Sequence, residues 1–348
     1  MARILGISNG TGSPAWRLWP MLRYLKEKEN WDINTWPGRG KKAWDEIVND
    51  IAWAEIVVLQ SVFDNRLVEL IKKDKNKKLI FEFDDLLDYV PAKHPLAKEV
   101  NTPEWKKEIQ VALSSADVCI TTNETLKNRF FGINRNIRVF PNYIDFPFWD
   151  RPYNPNTNDK QIRLGWAGGI SHQEDLEWIA PVIAKILEKY PQVKFFYCGD
   201  GGAWAKDKWT TFQYGEDHLA EIPPARREFS LGSKIEQWPD KLSSLQLDIA
   251  IAPLVQNEFS ECKTPIKFME YAINRTPSVC QRFMYKQVIT DGVDGFLAGD
   301  KNEWIEKISK LIEDKELRLK MGENARKTIE EKHNLADHFD EWLAIIRS

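Results

Sequence analysis

The stretch LDIAIAPLVQNEFSECKTPIKFMEYAINRTPSVC, residues 247–280, places charged side chains next to a predicted buried strand. Residues 247–253 form a short apolar run, which is typical of a strand buried on both faces of a parallel sheet. Because ligands of open parallel sheets bind beyond the carboxyl ends of the strands, the loop after Pro253 is predicted to be functional. Thr264 and Pro265 then predict the N-cap and the first residue of a helix, whose outward N–H groups favour an anion.

Three charged side chains surround this predicted helix start. Lys263 precedes the cap, Lys267 lies one turn into the helix, and Glu270 follows Lys267 at the i,i+3 spacing that puts both on one helix face. Ammonium groups suit phosphates, and a carboxylate that accepts hydrogen bonds from two neighbouring hydroxyls suits a ribose. Such a Lys and Glu can also form an ordinary solvated pair. Their position between two predicted parallel strands, residues 247–253 and 277–280, favours a nucleotide diphosphate site.

Length and composition limit the class of protein. A chain of 348 residues exceeds the usual size of one hydrophobic core, and 43% hydrophobic with 29% charged residues describes a globular protein of two domains. A formal net charge of -3 opposes binding to nucleic acid through bulk charge, although a local basic groove stays open. The four cysteines show no metal-ligand spacing. With no signal peptide and no integral membrane span in the sequence, we expect a cytoplasmic protein.

Short apolar runs alternate with longer amphipathic ones, and this pattern occurs twice. It predicts an α/β protein with two Rossmann-like, doubly wound domains. The predicted strands of the first half are residues 2–8, 56–60, 78–83, 118–122 and 137–140, and those of the second are 162–166, 193–198, 247–253 and 277–280. The first predicted helices include residues 16–29 and 105–115.

A segment rich in proline and asparagine, residues 141–159, is predicted to link the two halves. A final helical segment, residues 335–346, is expected to return to the first half. We therefore predict a first domain over residues 1–150, with residues 333–348 packing back on it, and a second domain over residues 160–332.

Polar residues also follow the predicted strands of the first half. Gly10 and Gly12 come after the first strand, where their backbone can approach a phosphate or an acceptor, and Arg17 lies on the next helix; a simple turn is the alternative. Asp84 and Asp85 follow the strand at residues 78–83. One of them can orient an acceptor hydroxyl or accept its proton, whereas a helix cap, a salt bridge or a metal dyad are the alternatives.

Histidine and tryptophan supply further candidates. His172 follows a glycine pair and can donate to a phosphate or a sugar, with a surface histidine as the alternative. His94 lies in a predicted loop near the acceptor side. Trp16, Trp149 and Trp166 can stack on sugars, although most tryptophans fill cores.

Several runs in serial order resemble one known family. They are IRVFPNYID (residues 137–145), IRLGWAGGISHQEDL (162–176), VKFFYCGDGG (193–202), and LDIAIAPL followed by CKTPIKFMEYA and TPSV. Together they resemble the retaining glycosyltransferases of family 4, glycosyl transferases group 1, in a compact bacterial or phage-type branch with the GT-B fold. The resemblance spans nearly the whole chain. It implies two Rossmann-like domains that face an interdomain cleft, with a nucleotide-sugar donor on the second and an acceptor on the first.

The resemblance assigns roles residue by residue. Glu270 matches the second carboxylate of the family's paired-Glu motif, which is expected at the donor ribose. The first carboxylate of the motif has no match, because its position is occupied by Cys262, and Glu261 lies one place away. The family's Arg and Lys after the first strand of the second domain have no counterpart in WAGGISHQEDL. The diphosphate charge is therefore expected to rest on Lys263, Lys267 and the helix start.

Four further positions complete the donor site that the resemblance implies. Gly168 and Gly169 allow close backbone approach to the diphosphate, and Thr264 belongs to the helix start. Asp200 ends the strand at residues 193–198. The segment at residues 233–238 matches the place where the family reads the base.

The function expected is the transfer of a sugar from a nucleotide-diphosphate sugar, UDP- or GDP-linked, to a hydroxyl acceptor. The family implies retention, hexosyltransferase-like specificity, and no required cofactor or metal. The acceptor is a saccharide or a lipid-linked saccharide. One alternative is a phage-type enzyme that acts on a hydroxymethylated base in DNA. Others are a GT-B sugar-nucleotide epimerase and a non-catalytic sugar-nucleotide-binding module.

Overall fold

The computed structural model describes residues 2–8, 10, 12–37, 44–94, 96–199, 219 and 221–348. They contain two parallel sheets of six strands each, with the orders β2-β1-β3-β4-β5-β6 and β12-β11-β10-β7-β8-β9. Helices flank both sheets, so the predicted α/β class with two doubly wound domains is confirmed. In each sheet the strand order reverses once, between β1 and β3 and between β7 and β10. Ligands of such folds bind at these switch points.

The first sheet contains one strand that the sequence did not indicate. Its strands are β1 Arg3–Ser8, β2 Asp32–Pro37, β3 Ile56–Gln60, β4 Lys78–Glu82, β5 Val118–Thr121 and β6 Ile137–Val139. The strand β2 has the sequence DINTWP and pairs only with β1. An edge strand is not buried on both faces, so it lacks the continuous apolar run of its neighbours.

Helices connect the strands of the first sheet. They are α1 Gly12–Trp16, α2 Leu18–Glu29, α3 Trp44–Trp53, α4 Asn65–Lys72, α5 Ala97–Val100, α6 Pro103–Ser115, α7 Glu124–Phe130 and α8 Phe146–Trp149. Side chains of Asp64, Thr102 and Asn123 accept N-terminal N–H groups of α4, α6 and α7. The helix predicted at residues 16–29 is split, because Arg17 has a non-helical backbone and caps α2.

The second sheet follows the same plan. Its strands are β7 Ile162–Gly168, β8 Val193–Gly199, β9 Arg227–Leu231, β10 Ile249–Ala252, β11 Ser278–Gln281 and β12 Phe296–Ala298. Its helices are α9 Gln173–Lys189, α10 Trp238–Ser244, α11 Glu258–Glu261, α12 Ile266–Ile273, α13 Arg282–Tyr285, α14 Lys301–Glu313 and α15 Lys315–Lys332. The sequence did not indicate β9 and β12, which form the two edges; β9 is largely exposed and β12 has three residues.

The last helix, α16 Phe339–Arg347, packs against the first sheet. Phe339, Trp342 and Ile346 are buried there with Leu18 and Met21 of α2. A β-bridge between Ile144 and Asn334 accompanies this return of the chain. The domain limits at residues 150, 160 and 333 stay a prediction.

The loop after β10 also packs against the hydrophobic core of the first domain. Phe259 of α11 and Cys262 are buried in the same hydrophobic cluster as Phe83 and Phe130. Asn123 Nδ2 donates to the backbone oxygen of Cys262 at 2.9 Å. This loop therefore fixes the start of α12 against the carboxyl edge of the first sheet.

Candidate functional site

The site lies where β7 ends beside the start of α12. A Cβ atom added to Gly168 would lie 2.8 Å from Lys267 Cε and 2.9 Å from Lys267 Nζ. It would also lie 2.7 Å from the ring of Trp166, over which the Lys267 ammonium sits at 5.9 Å from the centroid. A glycine at position 168 therefore leaves the space that the lysine occupies.

Lys267 and Glu270 form a largely buried ion pair. Lys267 Nζ lies 3.2 Å from Glu270 Oε2, and the two side chains are 13% and 5% exposed. The other carboxylate oxygen, Oε1, accepts from Trp238 Nε1 at 2.9 Å. Each carboxylate oxygen keeps a further acceptor position, so Glu270 is oriented without being saturated. Sequence reasoning missed Trp238 as its partner, because the two residues are 32 positions apart.

The helix start differs from the prediction. Pro265, with φ -78° and ψ 34°, is the N-cap of α12, and the first helical residue is Ile266. The predicted N-cap role of Thr264 is wrong. Its hydroxyl instead accepts from Asn142 Nδ2 at 2.9 Å, which draws this side chain toward the segment after β6. The positive end of the helix still lies between Lys263 and Lys267.

Lys263 points to the first domain. Its ammonium lies 3.7 Å from Asp85 Oδ1 and 4.4 Å from the ring centroid of Phe259. The Asp85 side chain is 55% exposed. This pair joins the loop before α12 to the end of β4. The salt-bridge alternative for the acidic pair thus applies to Asp85.

Asp84 has a different environment from Asp85. Ser13 of α1 donates its hydroxyl proton to Asp84 Oδ2, and Gln60 Nε2 donates to the Ser13 oxygen at 3.3 Å. Burial, and then the charge of Asp85, raise the pKa of Asp84 to about 6, while the Ser13 hydrogen bond opposes the rise. Gln60 ends β3 and Ser13 follows β1, so this group lies at the switch point of the first sheet. A carboxyl with such a pKa can take up and release a proton near neutral pH.

Two histidines adjoin these groups. His172 Nδ1 lies 2.8 Å from Asp175 Oδ2, and Asp175 Oδ1 accepts from Val255 N at 2.6 Å. Burial lowers the pKa of His172, so the ring is neutral at pH 7. Because the carboxylate fixes the proton on Nδ1, Nε2 is an acceptor. In this tautomer Nε2 can accept a hydrogen bond, whereas the predicted donation from His172 to a phosphate or a sugar would require a proton on it.

His94 lies beside α11. Its ring is 5.5 Å from that of Phe259, and its Nδ1 accepts from Leu96 N at 3.2 Å. Burial, and then the charge of Lys263, lower the pKa of His94 to about 4. The neutral ring adds no charge to the cleft at pH 7.

Arg17 does not reach the site. Its guanidinium is buried, with 2% of the residue exposed, and donates to Glu82 Oε1 at 2.7 Å and to Phe140 O at 2.9 Å. It also donates to Asn142 Oδ1 at 2.8 Å. These bonds hold the guanidinium of Arg17 within the protein, and its role in binding a ligand stays a prediction. Arg17 also holds Asn142, which in turn contacts Thr264.

The remaining candidates are less informative. Gly10 has φ 87° and Gly12 begins α1, and an added Cβ would meet nothing within 4 Å at either position or at Gly169. Asp200 lies outside the described residues. Trp16, Trp149 and Trp166 are buried, so their proposed role as stacking platforms is wrong and they fill the core. Across the described ranges, no group of three or more His, Cys, Asp or Glu is arranged to hold a metal ion.

One family model matches the chain. The model of Glycosyl transferases group 1 covers residues 161–314, which include Gly168, His172, Lys263, Lys267 and Glu270. Two relatives with assigned functions, the trehalose synthases of Thermococcus litoralis and Pyrococcus furiosus, are each 38% identical over 63 residues. Those alignments cover 18% of this chain and only 15% of either relative.

Solved structures are similar over the whole chain. Sucrose-phosphate synthase of Thermosynechococcus elongatus gives a TM-score of 0.72 at 11% identity, over 100% of this chain and 98% of that one. A glycosyltransferase of Rickettsia africae gives 0.69 at 14% identity, over 99% and 98%. HepE of Anabaena, in complex with UDP and glucose, gives 0.67 at 14% identity, over 100% of both chains. At these identities the likeness shows the fold alone.

The resemblance stated from the sequence is thereby confirmed: the chain has the GT-B fold, and its second half matches glycosyl transferases group 1. None of the helices in the described parts of the chain is both long and apolar enough to cross a bilayer.

Proposed function

We propose that this protein transfers a sugar, with retention, from a nucleotide-diphosphate sugar to a hydroxyl acceptor. The observation that carries the proposal is the buried Lys267–Glu270 pair at the start of α12, next to Gly168. It offers a cation to a phosphate and an oriented carboxylate to a ribose within one turn of helix. The family match includes this segment.

The second domain is proposed to hold the donor, a UDP- or GDP-sugar. Cleavage of the anomeric C–O bond leaves growing negative charge on the leaving phosphate. Lys267, Lys263 and the N-terminal end of α12 stabilise that charge more in the transition state than in the ground state. Glu270, oriented by Trp238, accepts hydrogen bonds from the ribose hydroxyls. No cofactor and no metal ion are required in this scheme.

The first domain is proposed to supply the acceptor side. Asp84 is held by Ser13 at the end of β4, and its raised pKa suits a group that accepts the proton of the incoming hydroxyl. His172 Nε2 accepts from a donor-sugar hydroxyl, because Asp175 fixes the proton on Nδ1. The acceptor is proposed to be a saccharide or a lipid-linked saccharide.

Binding of the donor base is tested first. Thermal unfolding is measured with UDP, GDP, ADP, CDP and dTDP, for the natural chain and for Lys267→Ala. A nucleotide at 100 times its Kd adds about 2.7 kcal/mol of apparent stability. Lys320→Ala, an exposed lysine on α15, is the matched control and should respond like the natural chain. If none of the five nucleotides raises the melting temperature, the proposed donor is wrong; if Lys267→Ala responds like the natural chain, the donor site is wrongly placed.

Turnover without an acceptor then separates the reaction classes. The nucleotide that binds is supplied as its glucose, galactose, N-acetylglucosamine or mannose conjugate, and the products are resolved by chromatography. Slow release of free sugar and nucleoside diphosphate indicates a transferase. An isomerised sugar nucleotide would identify an epimerase, and intact donor would identify a binding module. Transfer to hydroxymethylated DNA in preference to saccharides would replace the proposed acceptor.

A further inference from the structure

A second cavity lies at the opposite edge of the second sheet from Gly168 and Lys267. It has a volume of about 340 Å³ and is lined by residues that precede the strands β7, β10 and β11. Residues 153–161, the turns at 242–248 and 274–277, and the start of α15 form its walls. This volume falls within the range of about 300 to 1,000 Å³ that is usual for small-molecule sites. The donor site does not include any of these segments.

Two of the three cations that line this cavity are paired with carboxylates. Lys315 Nζ lies 2.8 Å from Asp159 Oδ1, and Arg275 Nε lies 3.2 Å from Glu323 Oε1. The third, Arg318, donates to two uncharged backbone oxygens of α14 at 2.7 and 3.0 Å, and the charge of Asp248 acts on it. Each cation of the lining is therefore offset by a carboxylate.

The carboxylate of Asp248 is likewise engaged. Its Oδ2 accepts from Arg163 N and from Asn156 Nδ2, each at 2.8 Å. These contacts tie the start of β7 to the start of β10. Asp248 thus stabilises the wall of the cavity without adding an unsatisfied charge.

Side-chain amides and one aromatic ring remain to meet a ligand. Within the part of the chain that the structure describes, the amides of Gln161 and Gln192 and the Oε1 atom of Gln246 have no hydrogen-bond partner in the protein. Tyr153 is 45% exposed, and the guanidinium of Arg275 lies 5.2 Å from its ring centroid. Amides both donate and accept, which matches vicinal hydroxyls, and an aromatic ring matches the C–H face of a sugar.

Two residues of the cavity wall have a left-handed backbone. Gln246 has φ 49° and Arg275 has φ 55°. Each directly follows the C-cap of a helix, α10 or α12, where a left-handed residue commonly ends a helix. Both residues line this cavity, so the ends of these two helices shape its wall.

We propose that this cavity is a second ligand site, which binds an uncharged saccharide of one or two units. The carboxylates that offset the cations disfavour an anion, the amides supply hydrogen bonds to hydroxyls, and Tyr153 supplies the apolar face. The proposal concerns a site apart from the cleft and does not depend on the donor or on turnover.

Saturation-transfer NMR and calorimetric titration of the full chain, without nucleotide, test the site. The probes are glucose, maltose, cellobiose, lactose and trehalose, with inorganic phosphate as the charged probe. Two variants remove lining groups: Tyr153→Ala, and Gln246→Gly, in which glycine adopts the observed positive φ without strain. Lys267→Ala is the matched control in the cleft. Unfolding temperatures of all variants are compared first.

We expect at least one neutral saccharide to bind, and each cavity variant to weaken it about fivefold or more, which is about 1 kcal/mol by the affinity scale. Lys267→Ala should leave this affinity unchanged. Three results would overturn the proposal: no saccharide binds, phosphate binds more tightly than every saccharide, or Lys267→Ala removes the saccharide while both cavity variants retain it. The nucleotide-induced stabilisation described above tests the cleft separately.

Discussion

Ser13→Ala is expected to shift the acidic limb of the pH–rate profile upward. In the structure the Ser13 hydroxyl donates to Asp84 Oδ2 and thereby favours the ionised carboxylate. A hydrogen bond to a charged group contributes about 1.5 to 3 kcal/mol, and Asp84 is only half-buried, so the lower value applies. At 1.36 kcal/mol per pKa unit, the pKa of Asp84 should rise by about one unit.

The size of the effect on rate follows from the pKa of about 6 for Asp84. If the ionised form accepts the acceptor proton, activity falls as the pH drops through this pKa. With a rise of about one unit, the ionised fraction at pH 7 falls from about 0.9 to about 0.5, and at pH 6 from about 0.5 to about 0.1. The variant should therefore lose little activity above pH 8 and about fivefold at pH 6.

Two variants bracket this prediction. Ser13→Thr keeps the hydroxyl and should keep the natural profile. Asp85→Asn removes the neighbouring negative charge that raises the pKa of Asp84, so its limb should move to lower pH. The measurements are kcat/KM against pH and a carbon-detected NMR titration of the carboxyl groups. A Ser13→Ala limb that stays in place, or that moves to lower pH, would refute the assignment of Asp84 as the base.

Three further predictions concern binding, turnover and stability. Glu270→Ala should weaken the nucleoside diphosphate by about 1.5 to 3 kcal/mol, as measured by calorimetry, because a carboxylate acceptor for the ribose is lost; unchanged affinity in the folded variant would contradict this role. Lys267→Ala should lower turnover by about 10²-fold and weaken nucleoside diphosphate more than nucleoside, since its partner is the phosphate; equal losses for both would argue against it. Trp342→Ala should lower the free energy of unfolding by about 3 to 5 kcal/mol in denaturant titrations, because this fully buried ring of α16 packs against the first sheet; a loss below about 1 kcal/mol would mean that α16 is not part of that core.

The central strands could be predicted closely from the sequence, and the edges could not. The strand β3, Ile56–Gln60, has the predicted limits, because an interior strand of a parallel sheet is a continuous apolar run. The strands β2 and β9 border solvent, so their sequences carry polar residues that look like loops. A continuous apolar run therefore indicates a strand that is buried on both faces, and it does not detect a strand at the edge of a sheet.

Among the contacts within the site, those set by local spacing could be predicted from the sequence and those between distant segments could not. The i,i+3 spacing of Lys267 and Glu270 predicts that they share a helix face, and the structure brings them to 3.2 Å. The contacts of Trp238 with Glu270 and of Ser13 with Asp84 join segments that are distant in the chain. No local spacing encodes such pairs. Arg17 is a further case, since nothing near it in sequence indicates that Glu82 faces it from β4.

The two lysines of the proposed donor site differ in how firmly they are held. Lys267 is paired with a buried carboxylate that is itself fixed by Trp238, so its ammonium is oriented before any ligand arrives. Lys263 is paired at 3.7 Å with Asp85, which is exposed, and such a pair contributes only about 0 to 1 kcal/mol. When a diphosphate replaces Asp85 as the partner of the Lys263 ammonium, the loss of the original pair therefore costs little free energy. The same exchange would leave Asp85 without its cation beside Asp84, so donor binding would raise the proton affinity of the base as the acceptor arrives.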